Sequence, residues 1–250
     1  MLLPVKKAKI STVFKIGAGV EVDKKQETLT GIKDAFPVVL GYLPLGFAFG
    51  VLANNDAAMT VGEATLMSIM CFTGAGQYIA VGMIKEGAAM ATIILTNFLV
   101  NLRYFLFATS LVPHFKAVPT RIATLLSYGL TDETYAVSVT HYARHPATAY
   151  YLAGLNLTSH LSWIGSSALG TYMGKLVTDT QKFGLDFALP AMYTVLLVLM
   201  INRKQDAIVA AVAALICLVI GGLVPGSLVN MSNVIIATLI GATLGVTLKK

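Results

Sequence analysis

Residues 88–112 read AAMATIILTNFLVNLRYFLFATSLV, a stretch of 25 residues in which Arg103 is the only charge. A helix needs about 20 apolar residues to cross a bilayer core about 30 Å thick, so this stretch predicts a membrane-spanning helix. Including this one, the sequence predicts spans near 35–53, 63–84, 88–112, 120–140, 148–173, 184–201, 206–223 and 229–248. Because lipid admits only helices and closed barrels, we expect an all-α integral membrane protein, a polytopic helical bundle of about seven to eight spans.

The composition excludes a soluble globular protein. Of the 250 residues, 56% are hydrophobic and 12% are charged, against about 25% charged in a typical soluble domain. The connections between the predicted spans are short, so we expect residues 31–250 to form one transmembrane domain. Residues 1–30 form a basic tail, in which residues 10–22 are either a surface helix or disordered.

The distribution of basic residues bears on partners and on orientation. The net charge is +6, and seven of the 18 basic residues are lysines between Lys6 and Lys33. A basic tail beside the cytoplasmic face of a membrane accounts for them, so we expect contact with lipid and none with nucleic acid. Eight crossings with both termini inside would place Lys85 at the cytoplasmic face and Lys116 and Arg121 at the outer face. One re-entrant or absent span would move the C-terminus outside.

Three ionisable side chains interrupt the apolar runs, namely Arg103, Asp132 and Glu133. A charge at the centre of a membrane helix costs about 2.5 to 3.5 kcal/mol on insertion scales, so it persists mainly where it lines a pathway or meets a partner. We expect Arg103 to form a structural ion pair with one of the two acids, which leaves the other acid free. The acids are therefore candidates for substrate binding and for a proton relay.

Two predicted spans carry signals for an interruption near their centre. Residues 72–77 read FTGAGQ, and residues 129–133 read GLTDE. Glycine can end a helix in a left-handed turn, and Thr73, Thr131 or Asp132 can cap the helix that follows. The N-terminus of a half-helix carries partial positive charge and unpaired N–H groups, which suits a carboxylate at the membrane midplane. We therefore expect two broken helices, the alternative at each place being a packing glycine without a break.

The third span adds polar side chains to these candidates. Asn97 and Asn101 are four residues apart and share a helix face with Tyr104. Each asparagine either binds a ligand or hydrogen-bonds to another helix. His160, in the fifth span, is either a proton relay with Asp132 or Glu133 or a buried neutral side chain. The candidate substrate-binding residues are Thr73, Gly74, Gly76, Gln77, Asn97, Asn101, Asp132 and Glu133.

The sequence carries none of the common catalytic patterns. It contains no G-x-S-x-G, no H-E-x-x-H and no cluster of cysteine and histidine. Cys71 and Cys217 lie singly in apolar runs, as small buried side chains do. We therefore expect no enzymatic activity, no cofactor and no metal site. The residue pattern alone leaves open a transporter, a channel for a small polar solute or ion, and a non-transporting membrane scaffold.

Several short motifs together resemble the AzlC family of branched-chain amino acid permeases. They are GIKDAFP at 31–37, PLGFAFG at 44–50, FTGAGQ at 72–77, NLRY at 101–104, LTDET at 130–134 and FGLDFALP at 183–190. The resemblance runs from about residue 31 to the end of the chain and leaves out only the basic tail. The family commonly has histidine after the arginine, where this chain has Tyr104.

The resemblance implies a secondary transporter that exports leucine, isoleucine, valine and analogues such as azaleucine, and we expect it to be coupled to protons. It also implies a partner, a small membrane subunit of the AzlD type. The expected location is the bacterial cytoplasmic (inner) membrane, as a multi-pass protein with a cytoplasmic N-terminus. In such a transporter, we expect the substrate carboxylate at Gly74–Gln77 and the substrate ammonium group near Asp132 or Glu133.

Overall fold

The computed structural model describes residues 13–16, 20–116, 118–177, 203–224 and 232–248, and only isolated positions between 182 and 201. The chain forms two compact units, Met1–Ala188 and Leu189–Lys250. The span predicted at 184–201 lies outside the continuously described residues. Of the other predicted spans, those at 63–84 and 120–140 are each divided into two short helices, and the rest coincide with single helices.

The first described residues form two short antiparallel strands rather than a helix. Strand β1 (Val13–Ile16) pairs antiparallel with strand β2 (Val20–Asp23), so that Val13 lies opposite Asp23. The expectation of a surface helix or disorder for residues 10–22 is therefore wrong for these two segments. Both contain β-branched residues, which favour strands over helices.

The remaining described elements are helical. The first unit contains α1 (Lys24–Asp34), α2 (Phe36–Ala57), α3 (Val61–Cys71), α4 (Gly74–Lys85), α5 (Met90–Leu111), α6 (Thr120–Ser127), α7 (Asp132–Tyr142) and α8 (Ala149–Met173), with 3-10 turns at Val112–Phe115 and Gly174–Leu176. The second unit contains α9 (Lys204–Leu223) and α10 (Ser232–Leu248). Among the described helices, three are long and apolar enough to cross a membrane, namely Phe36–Ala57, Met90–Phe115 and Lys204–Leu223.

Helix α8 forms the centre of the first unit, and α2 runs beside it in the same direction. A Cβ atom on Gly50 would lie 2.1 Å from the carbonyl oxygen of Ser167, and one on Gly170 would lie 2.1 Å from that of Phe47. Only glycine, which has no Cβ atom, permits this contact between the two backbones. Small residues bring membrane helices together in this way. Helix α2 is thereby fixed along α8.

Helices α3 and α4 form a hairpin that enters the bundle and turns back. At its tip, the ring of Phe72 lies 6.2 Å from that of Tyr42, in the first half of α2. At the end of α4, Lys85 Nζ lies 3.2 Å from Asp56 Oδ1, in the last turn of α2. Tyr42 and Asp56 are 14 residues apart, about 21 Å along a helix, so α4 returns to the end at which α3 began. The break lies where the sequence predicts it, but the predicted single crossing at 63–84 is wrong.

Helices α6 and α7 form a second hairpin that enters from the opposite end. Phe115 precedes α6, Tyr142 ends α7, and their rings are 5.5 Å apart in a core cluster that also contains Tyr151. Between them, Asp132 at the start of α7 reaches Arg103 in the middle of α5. The chain therefore enters to the middle of the first unit and returns to the same end. The crossing predicted at 120–140 is wrong, and the segment is a re-entrant hairpin.

The first unit thus contains one motif twice, in opposite directions. Helix α2 is followed by a hairpin that enters from the end where Asp56 lies, which we call the distal end. Helix α5 is followed by a hairpin that enters from the end where Phe115 and Tyr142 lie, which we call the proximal end. Helices α3 and α4 have 11 and 12 residues, about half the length that a crossing needs. Each hairpin can therefore reach the middle of a bilayer and no further.

Candidate functional site

The two hairpin tips meet in the middle of the first unit. The first tip is Phe72–Thr73, between α3 and α4, and the second tip is Tyr128–Thr131, between α6 and α7. The hydroxyl group of Tyr128 donates a hydrogen bond to the carbonyl oxygen of Ile69, in the last turn of α3. The tips are thus linked directly, and the charged and polar side chains predicted from sequence gather around them.

The ion pair joins Arg103 to Asp132. Arg103 Nη2 lies 3.0 Å from Asp132 Oδ2, and the two side chains are 23% and 15% exposed. Glu133 instead accepts a hydrogen bond of 2.8 Å from the hydroxyl group of Tyr42, which is buried. That hydroxyl group also lies 2.6 Å from Thr131 Oγ1. The two adjacent acids therefore have different partners, one a cation and the other a neutral phenol.

A chain of hydrogen bonds connects the ion pair to the first tip through Tyr104. Arg103 Nη2 donates to the Tyr104 hydroxyl group at 3.2 Å, and this oxygen lies 3.2 Å from Thr73 Oγ1. Thr73 in turn donates to Asn101 Oδ1 at 2.7 Å. Tyr104, which the sequence placed on the polar face of α5 without a role, is therefore the link between the tips.

The N-termini of the two returning helices differ in their charge. Thr131 caps α7 through a reciprocal pair of bonds with Thr134, and the first turn of α7 contains two carboxylates, Asp132 and Glu133. Thr73 makes no capping bond to α4, because its hydroxyl group is directed to Asn101. The first N–H groups of α4 therefore lack a side-chain cap and carry the partial positive charge of a helix N-terminus. One tip suits an anion and the other suits a cation.

Two predicted glycines allow close packing at the first tip. A Cβ atom on Gly74 would lie 2.9 Å from the indole ring of Trp163, and one on Gly76 would lie 2.5 Å from Asn97 Oδ1. Asn97 itself donates to the carbonyl oxygen of Ile93 at 3.1 Å. The glycines thus bring the backbone of α4 against α5 and α8, and Asn97 lies beside the first turn of α4.

Gln77 lies in a buried hydrogen-bond network behind the first tip. Its Nε2 donates to Ser68 Oγ at 3.0 Å, and its Oε1 accepts from Trp163 Nε1 at 2.8 Å. Ser68 Oγ also lies 2.8 Å from Ser167 Oγ. Gln77 is fully buried, and both ends of its amide group are bonded to protein. The sequence marked Gln77 as a ligand for substrate, and its contacts here are with Ser68 and Trp163, neither of which the sequence singled out.

His160 lies between the two tips rather than beside the acids. Its ring stacks on Phe72 with centroids 4.0 Å apart, and its Nε2 lies 3.0 Å from the carbonyl oxygen of Ser68. A carbonyl oxygen only accepts hydrogen bonds, so Nε2 carries the hydrogen. Within the described residues, no three metal-ligating side chains gather in one place.

An apolar cavity lies on the proximal side of the second tip. It has a volume of about 380 Å³ and lies between α5, α6 and α8. Leu130, the residue before the cap of α7, forms part of its wall, and Lys116 lies among the lining residues. The cavity has room for an aliphatic side chain beside the second tip.

Comparison with known proteins places this arrangement in a family. A sequence profile described as AzlC protein matches residues 37–177, which include α2, both hairpins, α5 and α8. No solved structure matches the chain.

Individual relatives extend the similarity over most of the chain. An uncharacterized membrane protein of Archaeoglobus fulgidus is 34% identical over 73% of this chain and 79% of its own length. An uncharacterized membrane protein of Helicobacter pylori strain 26695 is 30% identical over 78% of this chain and 88% of its own length. Inner membrane protein YgaZ of Escherichia coli K12 is 26% identical over 73% of this chain and 77% of its own length.

Proposed function

The chain belongs to the AzlC family of membrane proteins, and on that basis we propose that it is a secondary transporter that exports branched-chain amino acids across the cytoplasmic membrane. The substrates would be leucine, isoleucine, valine and analogues such as azaleucine. The proposal includes coupling to protons and no enzymatic activity. It rests on the family and on the geometry of the two hairpin tips.

The observation that carries the proposal is the opposite charge of the two tips. A zwitterionic amino acid has a carboxylate and an ammonium group close together. The uncapped N-terminus of α4 offers N–H groups to the carboxylate, whereas Asp132 and Glu133 at the N-terminus of α7 offer carboxylates to the ammonium group. The ion pair of Arg103 with Asp132 and the hydrogen bond of Arg103 to Tyr104 connect the second tip with the first. A site of this kind favours a zwitterion over a simple anion or cation.

The apolar part of the substrate needs a different environment. The cavity of about 380 Å³ next to Leu130 could hold an aliphatic side chain. We place the branched side chain there, with the ammonium group toward Asp132 and Glu133. Burial of the side chain would contribute about 0.8 kcal/mol for each CH₂ group removed from water.

The two acids suggest how transport could be coupled to protons. Asp132 forms an ion pair with Arg103, whereas Glu133 has a phenol as its partner. A neutral phenol donates to a carboxylate but does not compensate its charge, so the two acids lie in different surroundings. In this proposal Glu133, whose partner is uncharged, exchanges the coupling proton, and Asp132 contacts the ammonium group.

The distribution of positive charge supports a cytoplasmic proximal end. Between residues 24 and 177, the proximal end carries six basic residues and the distal end carries two, with Arg103 in the middle. The proximal residues are Lys24, Lys25, Lys33, Lys116, Arg121 and Arg144, and the distal residues are Lys85 and Lys175. By the positive-inside rule, the proximal end and the N-terminal segment face the cytoplasm. The re-entrant hairpins therefore reverse the sides expected from sequence for Lys85, Lys116 and Arg121.

A small membrane subunit of the AzlD type completes the proposal. Helix α5 exposes large apolar side chains on the first unit, among them Ile94, Phe98 and Phe105, which are more than half exposed. A membrane-embedded partner could contact them, as could lipid. Co-purification of a tagged copy of this protein with the small subunit, and its loss when Phe98 and Phe105 are changed to polar residues, would test the assignment.

The function is tested by counterflow of labelled leucine in proteoliposomes, with and without the small subunit. We expect saturable uptake that unlabelled isoleucine and valine inhibit, and we expect Asp132→Asn to abolish it. The matched control is Asp56→Asn, which removes a carboxylate from an exposed ion pair at the distal end. Flux that does not saturate would indicate a channel, and undiminished uptake by Asp132→Asn would refute the site.

A further inference from the structure

We infer that Asn156 and His160 of α8 are positioning residues that hold the two hairpin tips at the height at which the substrate site forms. The inference rests on the proposed transport function, because it assigns the residues a role in that site. Neither residue lies among the groups that would touch substrate.

His160 holds the first hairpin. Its Nε2–H donates to the carbonyl oxygen of Ser68, in the last turn of α3. The last four carbonyl groups of a helix have no partner within the helix, so this bond satisfies a group that the break leaves open. The stacking of the His160 ring on Phe72 adds a second contact with the same tip.

Asn156 binds the second hairpin next to its tip, at a carbonyl group that also accepts a hydrogen bond from the backbone N–H of Gly129. Its Nδ2 donates to the carbonyl oxygen of Leu126 at 2.8 Å, in the last turn of α6. Gly129 follows in the tip, and a Cβ atom placed on it would lie 2.6 Å from Asn156 Cβ. The second tip is therefore packed directly against α8 at this residue.

The two bonds come from neighbouring turns of one helix. Asn156 and His160 are four residues apart and so lie on the same face of α8. Helix α8 is itself fixed against α2 by glycine contacts. The end of α3 and the end of α6 are thus attached to one rigid face, and Tyr128 joins them to each other. The height of each tip sets where the α4 N-terminus and Asp132 lie.

A positioning role and a proton relay at His160 make different predictions. Glutamine can place an N–H donor where the histidine ring places Nε2–H, but glutamine does not exchange protons near neutral pH. In the counterflow assay, we expect His160→Leu to raise the KM for leucine about tenfold, the size of effect of one lost hydrogen bond, and His160→Gln to restore the KM. The control is Leu161→Ala, because Leu161 is exposed and adjacent.

Three results would overturn the inference. Loss of Vmax in His160→Gln would indicate proton transfer, and an unchanged KM in His160→Leu would indicate that the bond to Ser68 does not shape the site. A lower yield of folded protein at unchanged KM would indicate a role in stability alone. If His160→Leu does not accumulate, the comparison of His160→Gln with the unaltered protein still decides between positioning and relay.

A second measurement does not need the substrate. Cys71, the last residue of α3, has an exposed side chain, contrary to the buried position expected from sequence. Spin labels on Cys71 and on Leu125→Cys in α6, in a Cys217→Ser background, report the distance between the hairpins. We expect one narrow distance distribution that broadens in His160→Leu and in Asn156→Asp, because Asp presents an acceptor to the Leu126 carbonyl group. The distribution should remain narrow in His160→Gln. Unchanged distributions in both disruptive variants would refute the positioning role, whether or not the protein transports leucine.

Discussion

Replacement of Arg103 by methionine should show that the central ion pair supports the fold and the site in separable ways. Arg103→Met leaves Asp132 without its cation at a side-chain exposure of 15%. Removing one partner of a buried pair costs about 3 to 5 kcal/mol, and the residual exposure of both side chains places the value near the lower limit, about 3 kcal/mol. We therefore expect a clear fall in Tm in detergent, together with loss of leucine counterflow.

The double variant Arg103→Met/Asp132→Leu separates the two roles. Replacing both members of a buried pair by apolar side chains is often neutral or stabilising, so the double variant should regain the Tm of the unaltered protein. It should not regain transport, because the carboxylate for the ammonium group is missing. The control is Lys85→Met, which breaks an ion pair whose side chains are 54% and 21% exposed and should cost about 1 kcal/mol or less.

Two results would contradict these roles of the ion pair. If Arg103→Met is as stable as the unaltered protein, the pair does not hold α7 to α5. If the double variant is stable and still exchanges leucine with saturation, Asp132 has no part in substrate binding. Both Tm and counterflow can be measured on the same purified samples.

Tyr42→Phe should lower the Vmax of proton-driven efflux about tenfold with little change in Tm, because Glu133 loses its hydrogen-bond donor but is itself only half-buried; unchanged efflux would remove Tyr42 from the mechanism. Gly76→Ala should lower the free energy of unfolding by about 1 to 3 kcal/mol, because its Cβ would lie 2.5 Å from Asn97 Oδ1. The double variant Gly76→Ala/Asn97→Ala should regain part of the lost stability in thermal unfolding. Ala123→Phe fills the cavity beside the second tip and should raise the KM for leucine more than the KM for alanine; equal effects in substrate competition would argue against the cavity as the side-chain site.

The local signals in the sequence were sufficient to locate both interruptions. Both breaks lie where the sequence predicted them, and Thr131 caps α7 as expected. Thr73 makes no capping bond, and Gly129 does not adopt the predicted left-handed turn, so these two details were wrong. These signals depend only on the backbone preferences of neighbouring residues, so they can be recognised without tertiary contacts. The family could also be recognised from short motifs, and the match over residues 37–177 confirms it.

The direction of the chain after each break could not be predicted. An apolar run of about 20 residues can cross a bilayer once or enter it to half its depth and return, because both paths bury the same residues in lipid. The contact of Lys85 with Asp56 decides between them for the first hairpin, and that of Phe115 with Tyr142 decides for the second. The single crossing that hydropathy predicted at 63–84 therefore put Lys85 at the wrong end of the first unit.

The sequence by itself determined that this is a helical membrane protein with a rare set of buried charges, because the composition and the cost of charge in lipid depend on residue type alone. Only the tertiary structure decided that Arg103 pairs with Asp132 and that Glu133 turns to Tyr42. Adjacent residues on a helix point about 100° apart, so which one meets the arginine depends on how α7 packs against α5 and α2. That packing follows from the height of the second tip, which long-range contacts set.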